Sequence, residues 1–127
     1  MDEILIEEAL IEALWAKARA SERLRQNFDL RTTPEDTSQR MLNALLPGTK
    51  VAIHRHEETT ETVICLRGRL DVVFFDQAGD EFVETSRVAL CPKEGRYGAQ
   101  IPVGAWHTVE VHEPSCIFEA KDGKYLG

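Results

Sequence analysis

The sequence predicts a mostly β protein, a small antiparallel β-barrel or double-sheet roll preceded by one α-helix. Three observations carry that expectation. From residue 40 onward, short runs of β-branched and aromatic residues alternate with Gly, Pro and Asp turns, as in small barrels and rolls. Residues 2–26 contain no proline or glycine, and their apolar residues recur near the helical period. The chain has 127 residues, of which 43% are hydrophobic, enough for one core and one domain. Residues 1–26 are therefore read as an amphipathic helix packing on the barrel or on a partner subunit. Residues 27–127 are read as a single β domain. No repeat, low-complexity tract or linker interrupts it.

In the helix, Leu5, Ala9, Leu10, Ala13 and Leu14 share an approximate 3.6 period, with Glu7, Glu8 and Glu12 between them. NFDLRTTPEDTSQ, residues 27–39, is rich in turn formers and predicts an irregular connection. The predicted strands follow in order: RMLNALL, KVAIHRH, ETVICLRG, RLDVVFF, FVETSRVAL, AQIP, WHTVEV and CIFEAK. PG, DQAGDE, CPKEGRYG and HEPS mark the turns between several of them.

The net charge of −7 and pI near 5.1 argue against broad affinity for nucleic acid or an anionic membrane, since both need a basic surface. Arg67 with Arg69 is only a local basic cluster. No apolar run approaches the ~20 residues of a membrane span. The acidic opening MDEILIEEAL does not read as a secretory signal. Cys65, Cys91 and Cys116 sit in or beside apolar stretches and are expected as buried, reduced thiols, so a cytoplasmic location is expected.

The chemistry concentrates in HRHEETTE, residues 54–61, which holds two of the chain's 4 histidines. On a strand, His54 and His56 project from the same face, one pleat apart. EETT then turns the chain, and a hairpin returns Glu61 beside the pair. Downstream, the Pro102-Val-Gly104 turn leads to His107. Three imidazoles and one carboxylate suit one divalent ion, whether Zn, Fe, Mn, Ni or Co, and leave coordination positions open. His112, five residues on, has the opposite strand parity and is not expected among the ligands.

At these residues the chain resembles the cupin superfamily. Its first motif is matched at every fixed position: Gly48, five residues, His54-Arg-His56, four residues, Glu61, six residues, Gly68. The second motif is matched at Pro102, Gly104 and His107. Gly95 falls one position early, and Val111 stands where the motif has asparagine. More narrowly, QRMLNALLPGTKV, LDVVFFDQAG and FEAKDGKY resemble WbuC-type cupin metalloproteins, small bacterial proteins found beside surface-polysaccharide genes. The resemblance runs from roughly residue 20 to the C-terminus. It implies a jelly-roll, or double-stranded β-helix, with a metal between the sheets held by His54, His56, Glu61 and His107. It implies no particular reaction.

If Glu61 and the histidines are ligands, an acid or base must come from elsewhere. Tyr97 and Gln100, before and on the strand leading to the second motif, and Glu119 on the last strand are the catalytic candidates; Arg40 is a further lumenal one. Arg67 shares parity with Glu61 and could meet an anionic substrate at the far rim. The alternative is an arginine that snorkels beside the Gly68 turn. Trp106 should pack outside, and only one of Phe74 and Phe75 can face in. Three functional readings follow. One is a metal-dependent enzyme on a small polar molecule such as a sugar or sugar nucleotide, by isomerisation, by epimerisation or, with ferrous iron, by dioxygenation. The second is a non-catalytic ligand-binding or sensor module. The third is a purely structural ion. A homodimer is expected, because the helix and RLDVVFF offer more apolar surface than one small roll should bury.

Overall fold

The structure, a computed structural model, describes residues 2–123. One helix, α1 (Glu8–Ala20), precedes eight strands: β1 (Arg25–Asp29), β2 (Ser38–Leu45), β3 (Glu61–Arg67), β4 (Leu70–Ala78), β5 (Glu81–Leu90), β6 (Gly98–Ile101), β7 (Trp106–Val111) and β8 (Ser115–Asp122). They form two antiparallel sheets, β1-β2-β8-β3-β6 and β5-β4-β7. The sheets face each other in a cupin-like roll. The last strand lies between β2 and β3, so the two ends of the β domain are tied into one sheet.

The five-stranded sheet is apolar on both faces, and each face has its own core. Leu45, Val63, Cys65 and Ile117 look inward and meet Leu70, Val72 and Leu90 across the roll. Leu42, Ala44 and Cys116 look outward and meet Ile11, Leu14, Trp15 and Ala18 of α1. Those four helix residues follow the i, i+3, i+4, i+7 spacing of one helix face. Trp15 is fixed further by its indole N–H, which donates to the Ser115 carbonyl at 2.9 Å. Full burial of each such side chain is worth about 2 kcal/mol. The helix therefore docks on its own sheet.

Several sequence expectations shift. The helix spans 13 residues rather than 2–26, and its buried face is centred on Ile11 and Trp15, not on Leu5 and Ala9. Ile4, Leu5 and Ile6 precede the helix and are exposed. The irregular connection expected at 27–39 opens with strand: β1 pairs with β2 from Arg25↔Leu45 to Asp29↔Met41. Tertiary pairing overrides the turn-rich composition there. KVAIHRH forms no strand apart from one isolated bridge at His54. Arg67 does not share the inward face of Glu61. A bulge between Cys65 and Arg67 turns it outward, where it pairs with Glu8 and lies over the Trp15 ring. Both faces of β4 are already buried at Leu70, Val72 and Val73.

The three thiols are buried and unpaired. No helix among the described residues is long and apolar enough to cross a membrane. Lys124 and Tyr125 of the FEAKDGKY stretch lie outside the described residues.

Candidate metal centre

Four elements bring the site together. The first is the extended segment carrying His54 and His56. His54 makes a single antiparallel bridge to His107, each backbone N–H donating to the other's carbonyl at 3.0 and 2.8 Å. The second is the Pro102–Gly104 turn. Gly104, at φ +79°, donates its N–H to the His56 carbonyl at 2.8 Å and so clamps the histidine segment from the other side. The third is β7, which presents His107 from the register position opposite Phe74. The fourth is β3, which begins at Glu61.

The ring centroids of His54 and His107 are 4.3 Å apart, those of His54 and His56 5.3 Å, and those of His56 and His107 5.7 Å. One nitrogen from each ring lies within 4.8 Å of those from the other two. Glu61 closes the group: Oε2 is 3.3 Å from His56 Nε2, and Oε1 is 3.7 Å from His107 Nε2.

Hydrogen bonds settle which nitrogens are available. His54 Nδ1 lies 2.9 Å from the Ala52 carbonyl, and His107 Nδ1 lies 2.8 Å from the Ala105 carbonyl. A carbonyl only accepts, so each Nδ1 carries the proton and each Nε2 keeps its lone pair. Nε2 of His56 and of His107 is buried and has no hydrogen-bond partner among the described residues. Buried imidazole nitrogens are rarely left this way. A cation among them would satisfy both, and the donor set of three imidazoles and a carboxylate fits a divalent transition ion.

The electrostatics are consistent. Burial holds the His56 pKa below its usual value and favours the neutral, ligating ring. Burial would raise Glu61, but His107, His56 and His54 around it hold it below the carboxylate range. Burial would likewise lower His107, and Glu61 and the Ala105 carbonyl more than offset that.

The remaining candidates separate clearly. Glu119 pairs with Val63 and so projects inward, on the face of Glu61. Burial, with the charge of Glu61 second, lifts its pKa to about 7. Gln100 is paired with Thr62, on the opposite face, and its amide donates to Thr62 Oγ1 at 3.2 Å. Tyr97 is 61% exposed. It precedes β6 near Cys65, roughly 13 Å along the ladder from Glu61. Neither Gln100 nor Tyr97 is brought to the cluster. Arg40 is outward as well, bound to Asp36 and to the Leu30 and Ser38 carbonyls. His112 instead contacts Asp71 at 3.1 Å. Trp106 packs outside with Phe82 and under Arg55.

Sequence reasoning missed Gln39, Asn43 and Lys121, which share the inward face. Reading β2 from Arg40 left Gln39 out. Alternation along CIFEAK would have placed Lys121 with Glu119. A cavity of about 720 Å3 opens beside the histidines, lined by Ile53, His54, Arg55, His56, Trp106 and Lys121 among others.

A family model described as "Domain of unknown function (DUF6016)" matches residues 6–88. The chain belongs to the DUF6016 family. The matched stretch carries His54, His56 and Glu61 and stops short of His107. No curated protein sequence matches this DUF6016 chain. Solved structures share its fold at low identity. The capsular polysaccharide assembling protein CapF from Staphylococcus aureus superposes with a TM-score of 0.63 at 19% identity, over 83% of this chain and 27% of that one. KdgF from Halomonas sp. gives 0.58 at 16% identity, over 80% and 79%. An oxalate oxidase in complex with glycolate gives 0.61 at 14%, over 85% and 55%. The DUF6016 chain thus spans less than a third of CapF, and the likeness establishes the cupin fold alone.

Proposed function

We propose that this chain is a WbuC-type cupin metalloprotein that binds one divalent ion through His54, His56, Glu61 and His107. We further propose that it acts as an enzyme on a small polar molecule of surface-polysaccharide synthesis, a sugar or sugar nucleotide. One observation carries the metal reading. Two buried Nε2 atoms lack any partner, on rings whose neighbours and backbone contacts direct them to a shared point. The open cavity beside them supports a small-molecule role over a closed structural site. The fold shared with CapF, whose name places that protein in capsular polysaccharide assembly, supports the pathway class by analogy.

A bound ion would supply Lewis acidity toward a substrate oxygen or a water. The chain's residues do the rest. The Ala52 and Ala105 carbonyls hold two imidazoles in the ligating tautomer. Glu61 offsets positive charge. Glu119, poised near neutrality on the same interior face, is suited to carry a proton either way.

The test is elemental analysis of protein purified without chelator. Near one equivalent of metal is expected, and His107→Ala should retain under a tenth of it. Absence of metal, with no thermal response to Zn, Mn, Co, Ni or ferrous iron, would sink the reading. Turnover of a sugar nucleotide distinguishes an enzyme from a binding or sensor module. Oxygen uptake by the ferrous form distinguishes a dioxygenase.

A homodimer is also proposed. The exposed run Ile4, Leu5, Ile6 supports it, since three adjacent apolar side chains in water favour a partner. A monomeric mass in light scattering would remove it.

A further inference from the structure

Four polar side chains on β2 and β8 face the interior without holding the ion. In the register, Gln39, Lys121 and Glu61 form one row across β2, β8 and β3. Met41, Glu119 and Val63 form the next row, and Asn43, Ile117 and Cys65 the third. Directly paired residues project from the same side of a sheet, so Gln39, Lys121, Glu119 and Asn43 share the face of Glu61.

Two of these groups are incomplete. Gln39 is only 3% exposed, and its Oε1 has no hydrogen-bond partner among the described residues. Asn43 Oδ1 is likewise buried and unpartnered. The Asn43 side chain is hydrogen-bonded to the Glu119 carboxyl. The carboxyl takes the amide N–H and leaves Oδ1 free. A buried acceptor left alone destabilises a fold, so its presence calls for a group that completes it. Both orphans are carbonyl oxygens, and what completes them must donate.

The donor's chemistry is narrowed by Lys121. It occupies the same row as Gln39 and lines the cavity with His54 and His56. Its ammonium repels a cationic ligand, so the donors are hydroxyls rather than amines. Gln39 sits two strands from Glu61, roughly 10 Å away. A molecule that reaches both is the size of a single sugar ring with its substituents.

We infer that Gln39 and Asn43 determine the specificity of this site, and that its ligand is a small, non-cationic polyol whose hydroxyls donate to Gln39 Oε1 and Asn43 Oδ1. The inference rests on the metal-site reading and assigns two residues to ligand recognition rather than to the ion.

The experiment uses zinc-loaded full chain and the variants Gln39→Leu and Asn43→Leu. The probes are D-glucose, D-galactose and myo-inositol, with ethanolamine as the cationic control, read by calorimetry and thermal shift. At least one polyol should bind, and each variant should weaken it tenfold or more. Without ligand, both variants should hold the zinc content of the parent chain and melt at the same temperature or higher, because an unpaired acceptor has been removed. A several-degree loss of melting temperature in both variants makes these amides structural and overturns the proposal. So does zinc-loaded protein that binds none of the polyols, or prefers ethanolamine. If the parent chain holds no metal, the underlying reading fails first, and zinc content reports that separately.

Discussion

His54 and His107 face each other across a single antiparallel bridge, with their rings 4.3 Å apart. The backbone makes the bridge, and the side chains are free to ligate. Removing the His107 imidazole should therefore spare the fold and abolish the site. Saturation at a hundred times the dissociation constant adds about 2.7 kcal/mol to stability, or about 10 °C for a domain of this size. A chelator should lower the melting temperature of the parent chain by that order. His107→Ala should start near the chelated value and ignore the chelator. Scanning fluorimetry with and without EDTA decides it, and a parent chain indifferent to EDTA contradicts it.

Leu42 is fully buried where the outer face of the five-stranded sheet meets α1. Leu42→Ala removes a side chain from a site walled by helix and sheet, which collapses poorly. A loss of about 2–5 kcal/mol is expected in urea unfolding. Ile4→Ala, at an exposed position, should stay within about 0.5 kcal/mol in the same assay.

The site was more legible in the sequence than the fold around it. Histidine spacing and the Pro102–Gly104 turn fixed three rings and a carboxylate, because turn chemistry and strand parity are local. Glu119 was found by parity alone. What failed depended on long-range pairing. Arg25–Asp29 looks like a turn and becomes strand because β2 offers it a ladder. Arg67 left the expected face because of a one-residue bulge. Gln100 was one register step from the interior. A parity argument cannot see a bulge, and a single step reverses its answer.

Gly68 ends the first motif at φ +98°. A Cβ there would sit far inside contact with Ser115 Oγ and the Pro114 carbonyl. Those atoms cannot move cheaply. Ser115 Oγ accepts from the Arg69 N–H at 3.1 Å and donates to the Glu113 carbonyl at 2.7 Å. Gly68→Ala combines a strained backbone with a clash against backbone and should cost roughly 3 kcal/mol or more. Gly79→Ala is the control. It also has positive φ, but its Cβ would meet nothing within 4 Å, so strain alone remains. Equal losses for the two would show that the clash is relieved.

Cys65 and Cys116 should resist thiol reagents in the native protein. Burial pushes their pKa values up to about 11 and about 12, so little thiolate forms at neutral pH. Cys91 is equally hidden. An aromatic disulfide reagent at pH 8 should titrate none of the three on a timescale of minutes, and all three after denaturation. A fast native phase would mean that one thiol is reached by local opening.

Asp71 joins β4 to both neighbours on the outer face of the three-stranded sheet. It accepts from Arg87 of β5 at 2.9 Å and contacts His112, just past β7, at 3.1 Å. Glu84 and Glu110 face the same guanidinium. Burial alone would raise the Asp71 pKa, but His112 and Arg87 outweigh it and hold the carboxyl below its ordinary value. A carboxylate with a depressed folded pKa binds protons more readily when unfolded. Its contribution is therefore complete above the unfolded value near 4 and fades as pH falls through the folded one. Asp71→Asn should melt a few degrees below the parent chain from pH 5 to pH 7, with the gap narrowing below about pH 4. Melting curves from pH 3 to pH 7 test this. A gap that stays constant down to pH 3 would assign the effect to packing rather than to charge, and one that widens would reverse the sign of the linkage.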